Sequence, residues 1–266
     1  MKSLNVGWID YLNTVPFDFT LTDIGLPFSV NLVHGVPQKI NKLLRENKID
    51  IGFISSAEYI ENFENYYLFP DLSISALNKV HSVVILSNIP LEEIKELYLT
   101  QASKSSQYLT KIIFSEFLKK NINYKKLENY EDLTTKSVLL IGDNAMKFQN
   151  RFEYVYDLSS IWYEKTRLPF VFALWSVRKE FYEENENIVN EFAKALKKSK
   201  MKFFENPEFF LKKKFVDQPV EDKLLYLKNL DYCLSDEHMK SLKLFANYLK
   251  KINLIEEIPQ FRFIKK

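Results

Sequence analysis

Small polar residues follow three strand-like segments of this chain, and their chemistry is that of an anion-binding site. In an open α/β sheet, ligands bind outside the carboxyl ends of the strands, where helix N-termini offer unpaired N–H groups. The three strand ends therefore predict a pocket for a small anionic molecule. The residues are Ser55 and Ser56 at the first end, Thr100, Ser103, Ser105 and Ser106 at the second, and Gly142 and Asp143 at the third.

Each cluster also has a simpler interpretation, which is capping of the helix that follows it. Ser55 is followed three residues later by Glu58, a capping-box pattern, so capping alone explains Ser55 as well as ligand binding does. Ser56 is not needed for such a box and is the better ligand candidate of the pair. Asp143 is the carboxylate best placed at the sheet edge, where capping of the next helix is at least an equal alternative.

The other reactive residue types form no familiar catalytic motif. The five glycines are not spaced as a dinucleotide or P-loop motif, and no GxSxG segment marks a serine nucleophile. The histidines lack metal-ligand spacing, although His34 and His81 each precede a small residue and could reach a cleft as proton acceptors. The three strand ends contain no arginine, so hydroxyl and N–H groups would hold the anion. We predict a carboxylate-bearing metabolite as ligand, with no metal and no nucleotide cofactor.

Composition restricts the partners and the compartment. Thirty-seven Lys+Arg against 35 Asp+Glu leave a net charge of +2, without a long basic block, which disfavours nucleic acid as a partner. The single cysteine, Cys233, cannot form an intramolecular disulfide and fits a reducing compartment. No signal-peptide pattern and no span of about 18 apolar residues is present, so we expect a cytoplasmic protein without a membrane partner.

The elements that must position these residues repeat a β-α-β pattern, typical of an α/β fold. The first series has strands at 3–9, 28–33 and 49–54, with a helix that begins near Pro37. A second series has strands at 96–100, 122–127 and 137–141 and a helix at 105–118. The chain after about residue 177 is helical, with apolar stripes suited to core packing.

This order predicts two α/β lobes joined by two extended hinge strands, at 84–90 and 170–176. The helical C-terminal tail is expected to pack on the first lobe. Lobe 1 would comprise 1–86 and 175–266, and lobe 2 would comprise 87–174, with the ligand cleft between them. The polar strand ends would then face each other across this cleft.

Several segments, in order, resemble the chorismate dehydratases of the futalosine route to menaquinone. The resemblance covers about the first 180 residues, and the ordered set is more specific than any one segment. It departs from the family at Arg167, where glycine is common, which puts the local turn in question. The segments are Tyr11–Pro16, Ile49–Tyr59, Pro70–Ala76, Ser82–Val83, Leu140–Asp143 and Leu168–Trp175.

The resemblance implies a two-lobed fold like that of type II periplasmic binding proteins and a specific reaction. Chorismate, a dicarboxylate, would lose water to give 3-[(1-carboxyvinyl)oxy]benzoate. Asn13 and Ser82 match the positions that the family uses in catalysis, Tyr11 lies in the same motif as Asn13, and the serine clusters match the carboxylate-binding wall. We expect Ser105 and Ser106 to hold one carboxylate, and Ser55 and Ser56 the other.

The sequence leaves the proton acceptor and the alternatives to catalysis open. His34, His81 or Asp143 could take the proton, or a carboxylate of the substrate could take it. A non-catalytic cytoplasmic binding protein or sensor for a small carboxylate remains an alternative, because a fold does not choose between binding and turnover. The related later enzyme of the same pathway is a third possibility, but it should lack the Tyr-Leu-Asn motif followed by Ser82.

Overall fold

The computed structural model describes residues 3–265 and contains two five-stranded sheets flanked by helices. In the first sheet the strand order is β2-β1-β3-β10-β4; β1 is parallel to β2 and β3, whereas β10 is antiparallel to β3 and β4. The strands are β1 (Ser3–Trp8), β2 (Ser29–His34), β3 (Ile51–Ser55), β4 (Tyr66–Ala76) and β10 (Phe170–Arg178).

The second sheet has the order β7-β6-β8-β5-β9. Strand β6 is parallel to β7 and β8, and β5 is antiparallel to β8 and β9. The strands are β5 (Val83–Ser87), β6 (Glu96–Leu99), β7 (Asn123–Lys126), β8 (Val138–Ile141) and β9 (Tyr154–Asp157).

The helices connect the strands and form the C-terminal third of the chain. A 3₁₀ turn, Leu12–Phe17, follows β1 and carries Asn13. None of the helices within residues 3–265 is long and apolar enough to cross a membrane. The helices are α1 (Pro37–Arg45), α2 (Ser56–Glu61), α3 (Lys104–Ile112), α4 (Gly142–Phe148), α5 (Leu158–Thr166), α6 (Lys179–Glu184), α7 (Glu186–Glu205), α8 (Pro207–Lys214), α9 (Glu221–Lys228) and α10 (Asp236–Lys251).

Close packing of α1 on the first sheet confirms the first predicted β-α-β unit. Pro37 occupies the first turn of α1, where its missing N–H costs nothing. Ile40 is fully buried against β1, and a Cβ at Gly7 would lie only 2.7 Å from the Ile40 side chain. Glycine at this position therefore permits the approach of helix and strand that brings the end of β3 to the site.

The chain crosses between the sheets at 77–82 and at 158–169, and this corrects the predicted lobe boundaries. Strands β5 and β10 both form, but β5 pairs in the second sheet and β10 in the first. The predicted division at 86/87 and 174/175 therefore places parts of both strands in the wrong lobe, and the expected hinges at 84–90 and 170–176 overlap strands within the sheets. The crossings are a loop and the segment that contains α5.

The C-terminal helices pack on the first sheet and extend to the second lobe. Phe192 of α7 contacts Trp175 of β10, edge to face, as predicted for a tail on the first lobe. Helix α10 also reaches the second lobe, because Tyr248 packs edge to face against Phe117, which follows α3, with ring centres 5.4 Å apart. The tail therefore contacts both halves of the chain.

Candidate active site

A cavity lies between the two sheets and brings together residues from both predicted walls. The space between its lining atoms is about 630 Å³, including a part that is open to solvent. Most of its other lining is apolar, and no charged side chain is among the lining residues of the described chain. The predicted site residues that line it are Tyr11, Asn13, Ser55, Ser82, Ser103, Ser106 and Gly142.

Ser55 forms the first wall at the junction of β3 and α2. Its Oγ accepts hydrogen bonds from the Glu58 backbone N–H at 3.2 Å and from Asn41 Nδ2 at 2.9 Å. The first of these bonds is the predicted helix cap. Since a hydroxyl has two acceptor sites and one proton, both acceptor sites are filled and the proton is free for a ligand. Ser55 thus serves as a cap and as an oriented donor, and the two interpretations are compatible.

Ser103 and Ser106 form a second wall, at the N-terminus of α3. Ser103 caps the helix by accepting from the Ser106 backbone N–H at 3.3 Å, and the two hydroxyls are 2.9 Å apart. One hydroxyl donates to the other, which leaves one proton of the pair for a ligand. The positive end of the helix dipole adds to the attraction for an anion.

Ser56 and Ser105 lie behind these walls and hydrogen-bond to each other and to the protein backbone. Ser56 Oγ donates to the Val171 carbonyl at 2.7 Å and lies 2.9 Å from Ser105 Oγ, which accepts from the Ala57 N–H at 3.0 Å. Both serines are fully buried and neither lines the cavity. The expectation that Ser56 is the better ligand candidate is therefore wrong, because its proton is used by the backbone; the pair instead links α2 to α3.

Asn13 and Ser82 both line the cavity, and both lie near Tyr226, a residue that sequence reasoning missed. The Tyr226 hydroxyl of α9 is 2.9 Å from Ser82 Oγ. Burial raises the pKa of Tyr226 to about 12; the Ser82 and Asn13 side chains lower this pKa, and the negative charge of Asp143 raises it. Tyr226 is in the helical tail, which carries no motif that could have identified it.

Tyr11 and Gly142 face each other across the cavity, one from each lobe. Gly142 has φ of +59°, a left-handed conformation that suits glycine, and a Cβ there would lie 3.9 Å from the Tyr11 ring. Burial, and then the negative charge of Asp143, raise the pKa of Tyr11. Asp143 is exposed and does not line the cavity, but it is near enough to act on both tyrosines.

Three other predicted residues lie away from the cavity. His34 is half-exposed and pairs with Asp10 at 2.8 Å. The His81 side chain is exposed, and its backbone N–H donates to Asp157 at 2.7 Å. Thr100 is buried and accepts from the Ala102 N–H at 3.3 Å. None of the three lines the cavity, which removes the geometric support for both histidines as proton acceptors and for Thr100 as a ligand residue.

Comparison with known proteins agrees with this architecture. A family model described as menaquinone biosynthesis matches residues 4–251. The chain belongs to the menaquinone biosynthesis family. A chorismate dehydratase from Campylobacter jejuni is 30% identical over 257 residues, which is 93% of this chain and 98% of that protein. One from Thermus thermophilus is 30% identical over 199 residues, which is 68% of this chain and 72% of that protein.

The fold of this family member is also found in proteins of distant sequence. A Candida albicans protein with the generic periplasmic binding protein fold superposes with a TM-score of 0.67, at 14% identity, over 100% of this chain and 98% of that one. This likeness supports the predicted two-lobed α/β fold and says nothing about the ligand.

Proposed function

We propose that this protein is a chorismate dehydratase, a hydro-lyase that converts chorismate to 3-[(1-carboxyvinyl)oxy]benzoate and water in menaquinone biosynthesis. Relatives named chorismate dehydratase support the proposal. The observation that carries it is the meeting of Asn13 and Ser82 at one largely apolar cavity between the sheets. The elimination is redox-neutral and needs no electron carrier. The protein would act in the cytoplasm, where the free thiol of Cys233 would stay reduced.

The two hydroxyl walls fit the two carboxylates of the substrate. Ser103 and Ser106, at the α3 N-terminus, would hold one carboxylate, and Ser55 would donate to the other. Because the cavity wall is uncharged, these donors and the helix dipoles would replace the water that the carboxylates lose on binding. The apolar lining would then contact the ring and the enolpyruvyl group.

The reaction removes one proton and one hydroxyl group from neighbouring ring carbons. The C3–H bond is conjugated through the diene to the ring carboxylate, so its loss gives an enolate-like anion that hydrogen-bond donors stabilise. The C4–O bond then breaks, the hydroxyl leaves with the proton as water, and the ring becomes aromatic. Asn13 and Ser82 would orient and polarise this reacting centre.

A carboxylate of the substrate is the proton acceptor that fits this cavity best. Among the described residues, the lining contains no imidazole and no carboxylate, and its one phenol, Tyr11, has a raised pKa. A base must lie within hydrogen-bond reach of the proton that it takes. None of the candidates from the sequence lines the cavity, since Asp143 and His81 are exposed and His34 pairs with Asp10, so the enolpyruvyl carboxylate is favoured.

A direct assay tests this function. Purified protein is added to chorismate without cofactor, and the loss of the diene absorbance is followed together with a product lighter by one water. We expect turnover, and a loss of about 100-fold in kcat for Asn13→Ala and for Ser82→Ala. Ser87→Ala is the matched control, since Ser87 is a buried serine near the far end of β5, 2.9 Å from Ser137.

Two results would count against the assignment. Full turnover by Asn13→Ala would remove that residue from the reaction. Absence of product from the wild-type protein, with tight binding of another carboxylate, would make it a binding protein or sensor.

A further inference from the structure

Tyr226 approaches the two proposed catalytic residues from a third part of the chain. Asn13 belongs to the turn after β1, Ser82 ends the first crossing between the lobes, and Tyr226 comes from α9 in the helical tail. The Tyr226 hydroxyl is 2.9 Å from Ser82 Oγ, and Asn13 is near enough to lower the pKa of Tyr226. The phenol is buried, with 8% of the residue exposed, so its hydroxyl must satisfy its hydrogen bonds within the site.

The contact between Tyr226 and Ser82 is set by geometry. Their two hydroxyls are 2.9 Å apart and either can donate to the other, so one proton of the pair is left for another acceptor. Asn13 Oδ1 is buried and accepts no hydrogen bond from residues 3–265, so the Tyr226 proton is not directed to it.

We propose that Tyr226 is a positioning residue, whose hydroxyl holds Ser82 Oγ in place at the cavity that Asn13 also lines. The proposal rests on the proposed dehydratase function and adds a residue to it. Asn13 Oδ1, which has no hydrogen-bond partner among residues 3–265, can accept from a substrate hydroxyl. One hydroxyl in the helical tail would thus set the orientation of Ser82.

The arrangement is stable over the working pH range. Burial is the largest influence on Tyr226 and raises its pKa to about 12, so the phenol keeps its proton well above neutral pH. A group that stays protonated is suited to a fixed donor and unsuited to the role of proton acceptor.

Tyr226→Phe tests the proposal, because it removes the hydroxyl and keeps the ring. We expect kcat to fall about tenfold, the effect of one hydrogen bond in the transition state, with KM changed less than about threefold. The decisive measurement is the same substitution in a Ser82→Ala background. If Tyr226 acts through Ser82, most of the loss disappears there, because the hydrogen bond has already been removed.

Tyr232→Phe is the matched control. Tyr232 is another buried phenol, 3% exposed, and its hydroxyl has no hydrogen-bond partner among residues 3–265. We expect this variant to keep the wild-type kcat, so that a loss in Tyr226→Phe is not a general effect of removing a buried hydroxyl.

The outcomes separate the two proposals. A wild-type protein that does not turn over chorismate overturns the proposed function, and the role of Tyr226 falls with it. An active wild type with kcat within twofold in Tyr226→Phe overturns the positioning role alone. An equal loss from Tyr226→Phe with and without Ser82 also overturns it, because the tyrosine would then act independently.

Discussion

At the level of single residues, the cavity would bind a doubly charged substrate without a charged side chain. An anion that leaves water loses strong hydration, so each carboxylate needs several donors in return. The donors come from hydroxyls whose acceptor sites are already filled. At Ser55, for example, Asn41 and the Glu58 backbone occupy both acceptor sites, which directs the proton towards the cavity.

A flat pH profile is the first prediction at this scale. Burial raises the pKa of Tyr11 above its usual value and that of Tyr226 to about 12, and no histidine lines the cavity within residues 3–265. A substrate carboxylate as proton acceptor stays ionised from about pH 6 upward. We therefore expect kcat to vary less than about twofold between about pH 6 and 9, measured at saturating chorismate.

A different profile would identify a side-chain base. A pH dependence of kcat in this range that disappears in His81→Gln or in His34→Gln would return the proton transfer to that histidine. The two variants control for each other, since His34 pairs with Asp10, whereas the backbone N–H of His81 donates to Asp157.

At the level of elements, the turn after α5 carries a residue that its backbone does not favour. Arg167 follows α5 with φ of +60°, the left-handed position that commonly ends a helix and that favours glycine. The resemblance implies glycine at this position, and this chain adopts the left-handed conformation with arginine. The Arg167 guanidinium lies 5.6 Å from the centre of the Tyr163 ring, a contact that offsets part of the strain.

We predict that Arg167→Gly is more stable than Arg167→Ala. Both variants lose the contact with Tyr163, but only glycine relieves the left-handed strain, so the free energy of unfolding should differ by about 1 kcal/mol. Urea denaturation measures the difference. Gly142→Ala tests the same left-handed strain in the opposite direction, by adding a Cβ where glycine is native. The added Cβ meets no close atom, so only the positive φ opposes the substitution, and the variant should be less stable than the wild type. Equal stability of the two Arg167 variants would show that the turn relaxes without cost.

Individual helices and strands could be predicted from the sequence more readily than the pairing of the strands into sheets. Pro37 and the apolar spacing of α1 are local signals, so the first β-α-β unit could be recognised from the sequence. Strands β5 and β10 are both short apolar runs, which show that a strand is present but not which sheet it joins. Pairing depends on contacts between residues distant in the chain, and this is why the lobe boundary was misplaced. Tyr226 was missed for the same reason, because its relation to Ser82 exists only after the tail folds back.

At the level of the whole molecule, the two lobes are joined by contacts beside the cavity as well as by the two crossings. Glu61 of α2 accepts hydrogen bonds from Lys104 and Tyr108 of α3. The buried Ser56–Ser105 pair lies between the same two helices. This group of five residues, which we call the latch, connects the Ser55 wall to the Ser103 wall, so the distance between the walls depends on it.

A weakened latch should reduce substrate affinity more than it reduces catalysis. Glu61→Gln removes the negative charge that faces Lys104 and keeps the shape of the side chain. The closed form, in which α2 and α3 are in contact through the latch, would lose stability. The apparent affinity for substrate falls in proportion to the fraction of molecules in this closed form. A partly buried ion pair contributes about 1 kcal/mol, so we expect KM for chorismate to rise about threefold or more, with kcat within about twofold. Steady-state kinetics measure both.

Glu208→Gln provides the matched control for the latch. Glu208 pairs with Lys212 one turn along the exposed helix α8, and both side chains are more than half exposed, so we expect no change in KM. Small-angle scattering without substrate adds an independent measure, since an opened Glu61→Gln protein has the larger radius of gyration. An unchanged KM together with an unchanged radius would show that the two crossings alone hold the lobes closed. A rise in KM confined to Glu61→Gln would instead assign closure to the contact between α2 and α3.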